Sequence, residues 1–164
     1  MDEAKSLIPD SVANEELIDR ILYEPSFFCE GRLAPSAFAL TQKGETYISV
    51  FRNCYYCAKD IKFPKPRSKG DTVAGIAQLV TGEVRAISSP NPSVKLSMDV
   101  HARPATFPFH AGVFTTINGV VVNNGNSHTI PLNLYVQKEL VRLSRVVSMS
   151  EIYPTANDEA KDLI

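Results

Sequence analysis

The residues best suited to chemistry lie between Val94 and Asn123, VKLSMDVHARPATFPFHAGVFTTINGVVVN, which carries two of the three histidines, His101 and His110. An imidazole titrates near neutral pH and can serve as acid or base. His110 follows the loop Arg103 to Phe109, in which Pro104 and Pro108 restrict the backbone, and precedes Ala111 and Gly112, small residues that would leave its ring open to a ligand. The competing reading is that His110 ends a strand and hydrogen-bonds to a backbone carbonyl. On extended backbone Asp99, His101 and Arg103 project from one face, either as a binding stripe or as a solvated strand surface. Phe107 and Phe109, with Tyr135, would give a partner an exposed apolar patch.

Other reactive groups are sparse. Cys54 and Cys57 form a C-x-x-C pair that Cys29, His101, His110 or His128 could complete as a zinc site. A second compact ligand pair is missing, as is the strand-to-helix context of a redox pair, so the thiols read as reduced and packed like small hydrophobes. Neither a metal nor another cofactor is expected. Ser36 and Ser49 are available hydroxyls, but no G-x-S-x-G elbow, P-loop, dinucleotide-binding glycine pattern or H-E-x-x-H helix occurs.

These residues need elements to hold them. Asn14, Glu15 and Glu16 ahead of Leu17, Ile18, Ile21 and Leu22 read as a capped helix over Asn14 to Tyr23. Ser26 to Leu40 is broken by Gly31 and Pro35 yet rich in large apolar groups, which predicts a buried, irregular entry to a sheet. Alternation predicts strands over Thr46 to Arg52 and Val94 to His101. Lys59 to Asp71 reads as an exposed basic loop. Thr72 to Val80 and Gly82 to Ile87 read as a hairpin, the alternative being a short helix followed by a strand. Asn118-Gly119 marks a tight turn between Phe109 to Thr116 and Val120 to Val122. From Pro131 the period changes, and Leu132, Tyr135, Val136, Leu140, Leu143 and Val147 line one face of a helix over Pro131 to Val147. The expected architecture is α+β: an antiparallel sheet of about five or six strands with the two helices on one face, a single domain over 1–147 and a tail over 148–164.

Size and charge limit what such a domain does. With 164 residues, 44% of them apolar, the chain can fill one core. Seventeen basic against eighteen acidic residues leave a formal charge of -1, which gives nucleic acid no support as a partner. The acidic N-terminus lacks an apolar leader, and no run reaches the ~18 apolar residues of a membrane span, so a cytoplasmic protein is expected. Asp2 to Ile8, DEAKSLI, nearly repeats as DEAKDLI over Asp158 to Ile164, either by coincidence among helix formers or as paired docking segments for a second subunit.

EGRLAPSAFAL, ETYISVFR and the later HAG together resemble a pattern found among small uncharacterised bacterial proteins, over Phe28 to Phe114. That resemblance implies a shared fold and no particular activity. The same segment is also faintly similar to the front half of ADP-ribosyltransferase-like domains, which would give Arg32, Ser49 and Glu83 catalytic places, although the paired-glutamate motif of that family is missing. Two functions are therefore expected: a binding or interaction module with an unknown protein or small molecule seated near His101 to His110, through His101, Arg103, Phe107 and Phe109; or a small transferase or hydrolase using Arg32, Ser49, Glu83 or His110.

Overall fold

Alternating side chains drive the middle of the chain into strands, and among the described residues these pair antiparallel throughout. The computed structural model describes residues 8–40, 42, 44–55, 70–105, 107–124 and 130–152. Strands β1 (Leu17–Glu24), β4 (Tyr47–Arg52), β5 (Thr72–Val80), β6 (Leu96–Ala102), β7 (His110–Ile117), β8 (Val120–Val121) and β9 (Arg145–Ser148) form one antiparallel sheet. Its order is β6-β7-β4-β1-β5-β9, with β8 hydrogen-bonded to β7. The helices α1 (Thr81–Arg85), α2 (Ile130–Leu143) and α3 (Met149–Ile152) complete the expected α+β class.

The helix expected over Asn14 to Tyr23 is instead β1, at the centre of the sheet. Ile18 and Leu22 enter the main core while Asp19 and Ile21 are buried on the other face. A strand covered on both faces loses its alternation, and the leftover spacing imitates a helix. Its backbone groups pair with β5 over the whole strand, from Leu17 against Val80 to Glu24 against Thr72.

The second correction follows from where β5 ends. Thr81 N donates to Glu16 O and Gly82 N to Asn14 O, so the chain turns onto the N-terminal segment and forms α1 rather than a hairpin arm. Val84 and Ile87 then enter the core. The long helix also stops earlier than its apolar pattern suggests. Ser144 N donates to Leu140 O and its Oγ–H to Val141 O, ending α2. Val146 and Val147 leave the helix register and pair with Ala77 and Ile76 as β9. Gly75 permits this approach, because a Cβ there would lie 2.1 Å from the carbonyl oxygen of Val147.

The main core lies between the sheet and α2. Ile18, Leu22, Ile48, Val50, Leu79, Val100 and Val113 meet Val136 and Leu140 of α2 and Val84 of α1. Each buried aliphatic contributes roughly 1.5–3 kcal/mol by leaving water. The segment Ser26 to Leu40 is irregular, as expected. It makes a two-residue turn at Glu30 and Gly31 (φ 52° and 77°) between β2 (Phe28–Cys29) and β3 (Arg32–Leu33). It then buries Ala37 and Phe38 in a 3-10 turn. Arg20 fastens that turn to the sheet: Nε donates to Ala37 O at 2.9 Å and Nη1 to Ser49 O at 3.1 Å.

Two arginines organise the remaining ends. Arg52, wholly buried, donates to both carboxylate oxygens of Glu16 and to the carbonyls of Pro9 and Ser11, holding the N-terminal segment against β4. Arg85 serves the edge strand β6. The register places the N–H and C=O of Val100 away from β7, and there Val100 N donates to Asp99 Oδ1 while Arg85 Nη2 donates to Val100 O. Arg85 Nε closes the set on Asp99 Oδ1 at 2.7 Å.

Ser148 pairs with Gly75 as the last residue of β9, and residues Met149–Ile152 follow as α3. Residues 1–7 and 153–164, hence the two DEAK segments apart from Ile8, lie outside the described residues, as do 56–58, residues 59–69 of the basic loop and His128. Among the described residues no helix is long and apolar enough to cross a membrane.

Candidate functional site

Strands β4 and β7 carry the site by simple alternation. In YISVF, Ile48 and Val50 enter the core, so Tyr47, Ser49 and Phe51 face the other way; in HAGVF, Ala111 and Val113 enter the core, so His110, Gly112 and Phe114 join them. The register sets Tyr47 against Phe114, Ser49 against Gly112 and Phe51 against His110. Two expected site residues from distant parts of the chain, Ser49 and His110, are thereby brought together.

His110 Nε2 lies 3.1 Å from Ser49 Oγ and Nδ1 lies 3.2 Å from the carbonyl oxygen of Arg103. A carbonyl only accepts, so the neutral ring carries its proton on Nδ1, and the free lone pair of Nε2 accepts the Ser49 hydroxyl proton. Burial holds the imidazole below the ordinary histidine value; the bond to Arg103 O opposes this, and the Arg103 charge reinforces it. The small neighbours Ala111 and Gly112 predict a ring open to a ligand, but it is closed over, being 5% exposed. Tyr47 takes the space above Gly112, where a Cβ would come within 2.6 Å of the Tyr47 ring. The carbonyl-bonded strand end and the polar partnership are thus both present in one residue.

Around this pair the aromatic rings run in sequence across the sheet. Phe107 stacks on Phe109 at 5.5 Å and meets His110 edge-on at 5.4 Å. His110 lies 6.1 Å from Tyr47, Tyr47 lies 5.2 Å from Phe114, and His101 stands edge-on to Phe114 at 5.2 Å. Arg103 covers the Tyr47 ring, its Cζ 4.9 Å from the centroid. Phe107 is 37% exposed, and no carboxylate pairs with the exposed Arg103 side chain among the described residues. Asp99 is committed elsewhere: burial pushes its carboxyl up, but bonds from Arg85 and Val100 N and the neighbouring charges of His101 and Arg85 hold it below the usual range.

The four expected binding residues, His101, Arg103, Phe107 and Phe109, therefore share one surface, whereas the expected catalytic group divides. Glu83 is exposed in the first turn of α1, in the layer beyond the core, where its charge acts on Arg142 of α2. Arg32 is exposed on the β2–β3 ribbon, whose Phe28 and Leu33 pack against that same core. Neither shares the face of the Ser49 side chain. Tyr135 also belongs to the helix layer, its hydroxyl donating to Ser88 O. Cys29 and Cys54 are free and exposed, and Cys57 lies outside the described residues. Among the described residues no group of three or more histidine, cysteine or acidic side chains could hold a metal ion.

A cavity of about 330 Å³ lies along the same loop, lined by Ala102, Pro104, Ala105 and Pro108 together with Ile8, Pro9, Asp10 and Arg52. Ser49 and His110 do not line it. Sequence reasoning missed Tyr47, Phe114, Gly112 and the buried carboxylate of Asp19, which accepts from Asn53 Nδ2 at 2.7 Å. A glycine inside an alternating strand signals a close approach, so Gly112 carried a readable mark.

No family model matches this chain, and neither a curated protein nor a solved structure matches it. The resemblances to small bacterial proteins and to ADP-ribosyltransferase-like domains gain no relative from these comparisons.

Proposed function

We propose that the protein is a binding module of bacterial, cytoplasmic type whose ligand rests on the ring-lined face between β4, β7 and the loop Arg103 to Phe109. The observation that carries this reading is the unbroken run of rings from Phe107 to His101 with the Arg103 guanidinium lying over Tyr47. Aromatic faces stack on flat groups with little loss of side-chain freedom, and a guanidinium with no acidic partner among the described residues attracts an anion. A ligand joining a flat ring to an anionic group satisfies both. The rings are fixed before binding, since Tyr47 is wedged over Gly112 and His110 is tied at both nitrogens.

Titrating the ¹⁵N-labelled protein with nucleosides and nucleotides tests this directly. Saturable shifts are expected at the amides of Tyr47, His101, Arg103, Phe107 and Gly112, larger for a nucleotide than for its uncharged nucleoside. If no flat-ring anion shifts these amides, or if the nucleotide's advantage over its nucleoside survives Arg103→Gln unchanged, the reading is wrong.

A further inference from the structure

We infer that Ser49 is an acyl-accepting nucleophile with His110 as its general base, so that the ring-lined face performs chemistry on esters as well as holding ligands. The inference rests on that face being where ligands arrive. Its physical content is the alignment of three groups. The hydroxyl and the base nitrogen stand 3.1 Å apart, the base is fixed by a third group at 3.2 Å, and that third group dictates the tautomer needed for proton removal. The two side chains differ in access in the useful sense. His110 is 5% exposed, while Ser49 is only half-buried.

The step balances without a co-reactant other than water. The Ser49 Oγ attacks the ester carbonyl carbon as its proton passes to His110 Nε2; the carbon–oxygen bond to the leaving group breaks, and the departing alkoxide takes that proton. Water reaching the acyl group through the space the alcohol leaves gives a proton to the same Nε2 and bonds to the acyl carbon; the carbon–Oγ bond breaks, Ser49 Oγ takes that proton back, and the carboxylic acid departs. Arg103 contributes through its backbone, because its carbonyl orients the imidazole and fixes the proton on Nδ1. A backbone carbonyl holds the tautomer but stabilises an imidazolium less than a carboxylate does, which slows both steps; acylation comes first and is the step to observe. Burial keeps His110 unprotonated at neutral pH, consistent with a resident base.

The experiment is covalent labelling of the full chain with a fluorophosphonate, followed by intact mass and peptide mapping. In this reaction fluoride leaves phosphorus as Ser49 Oγ bonds to it. One adduct is expected, on Ser49, absent in Ser49→Ala and formed about 100-fold more slowly in His110→Gln. The rate in the unaltered protein should rise with pH and level off below the ordinary histidine value, a profile that does not depend on any variant folding. An unlabelled Ser49 in the folded protein, or a rate that keeps climbing through alkaline pH and ignores His110→Gln, leaves the contact as a structural hydrogen bond only. Labelling without nucleotide binding would overturn the binding reading alone, and binding without labelling this inference alone.

Discussion

Strands β4 and β7 present opposite chemistries on their two faces. Toward α2 they show Ile48, Val50, Ala111 and Val113, all buried aliphatics; on the reverse they show Tyr47, Ser49, Phe51, His110, Gly112 and Phe114. The difference teaches how a thin sheet separates stability from recognition. One face is dry, interchangeable in kind and held by volume, whereas the other is held by particular ring contacts and two hydrogen bonds to one imidazole.

The widest separation should come from cutting into the dry face. Leu140→Ala leaves a cavity where α2 meets the sheet and should lower unfolding free energy by about 2–5 kcal/mol in urea titration. Below its unfolding midpoint, the Tyr47 and His110 ring resonances should stay in place. A ring-face change with a smaller cost is Gly112→Val. Its Cβ enters the Tyr47 ring, and the overpacking should cost about 1–3 kcal/mol while displacing Tyr47 and abolishing ligand shifts at Arg103.

Acid should act on the ring face more gently. The folded-state pKa of His110 lies below its unfolded value near 6.5, so between the two the unfolded chain binds the extra proton. His110 thus contributes full stability above the unfolded pKa and loses it as pH falls through that window. His110→Gln should flatten this part of the stability profile, measured by urea midpoints across pH 4 to 8. The smallest effect belongs to a site on neither face: Arg142→Ala removes an exposed i,i+3 pair with Glu139, and the melting temperature should not move measurably.

Much of this arrangement could be read from one sequence where local signals are self-sufficient. The alternation in YISVF and in LSMDVHA, and the Asn118-Gly119 turn with φ of 50° and 82°, are decided within a few residues. Strand β1 could not be read that way, because Asp19 and Ile21 are buried by whatever covers the second face, and their burial erases the alternation. Strand β9 depends on Gly75, far away in the chain, rather than on its own valines. The site was legible as residue types. His101, Arg103, Phe107 and Phe109 sit within one short stretch, so their shared surface follows from proximity. The partnership of Ser49 with His110 depends on β4 and β7 meeting in one register, and a shift by a single residue would turn one of them into the core.

The set around Val100 has a consequence for the outer rim of the sheet. An unpaired edge strand is a template on which another chain can grow. On β6 the Val100 amide is already taken by Asp99 and its carbonyl by Arg85. A foreign strand arriving there must break both bonds before it can add a rung, so Arg85 and Asp99 act as a stopper against sheet-to-sheet growth, and losing either would make this rim adhesive.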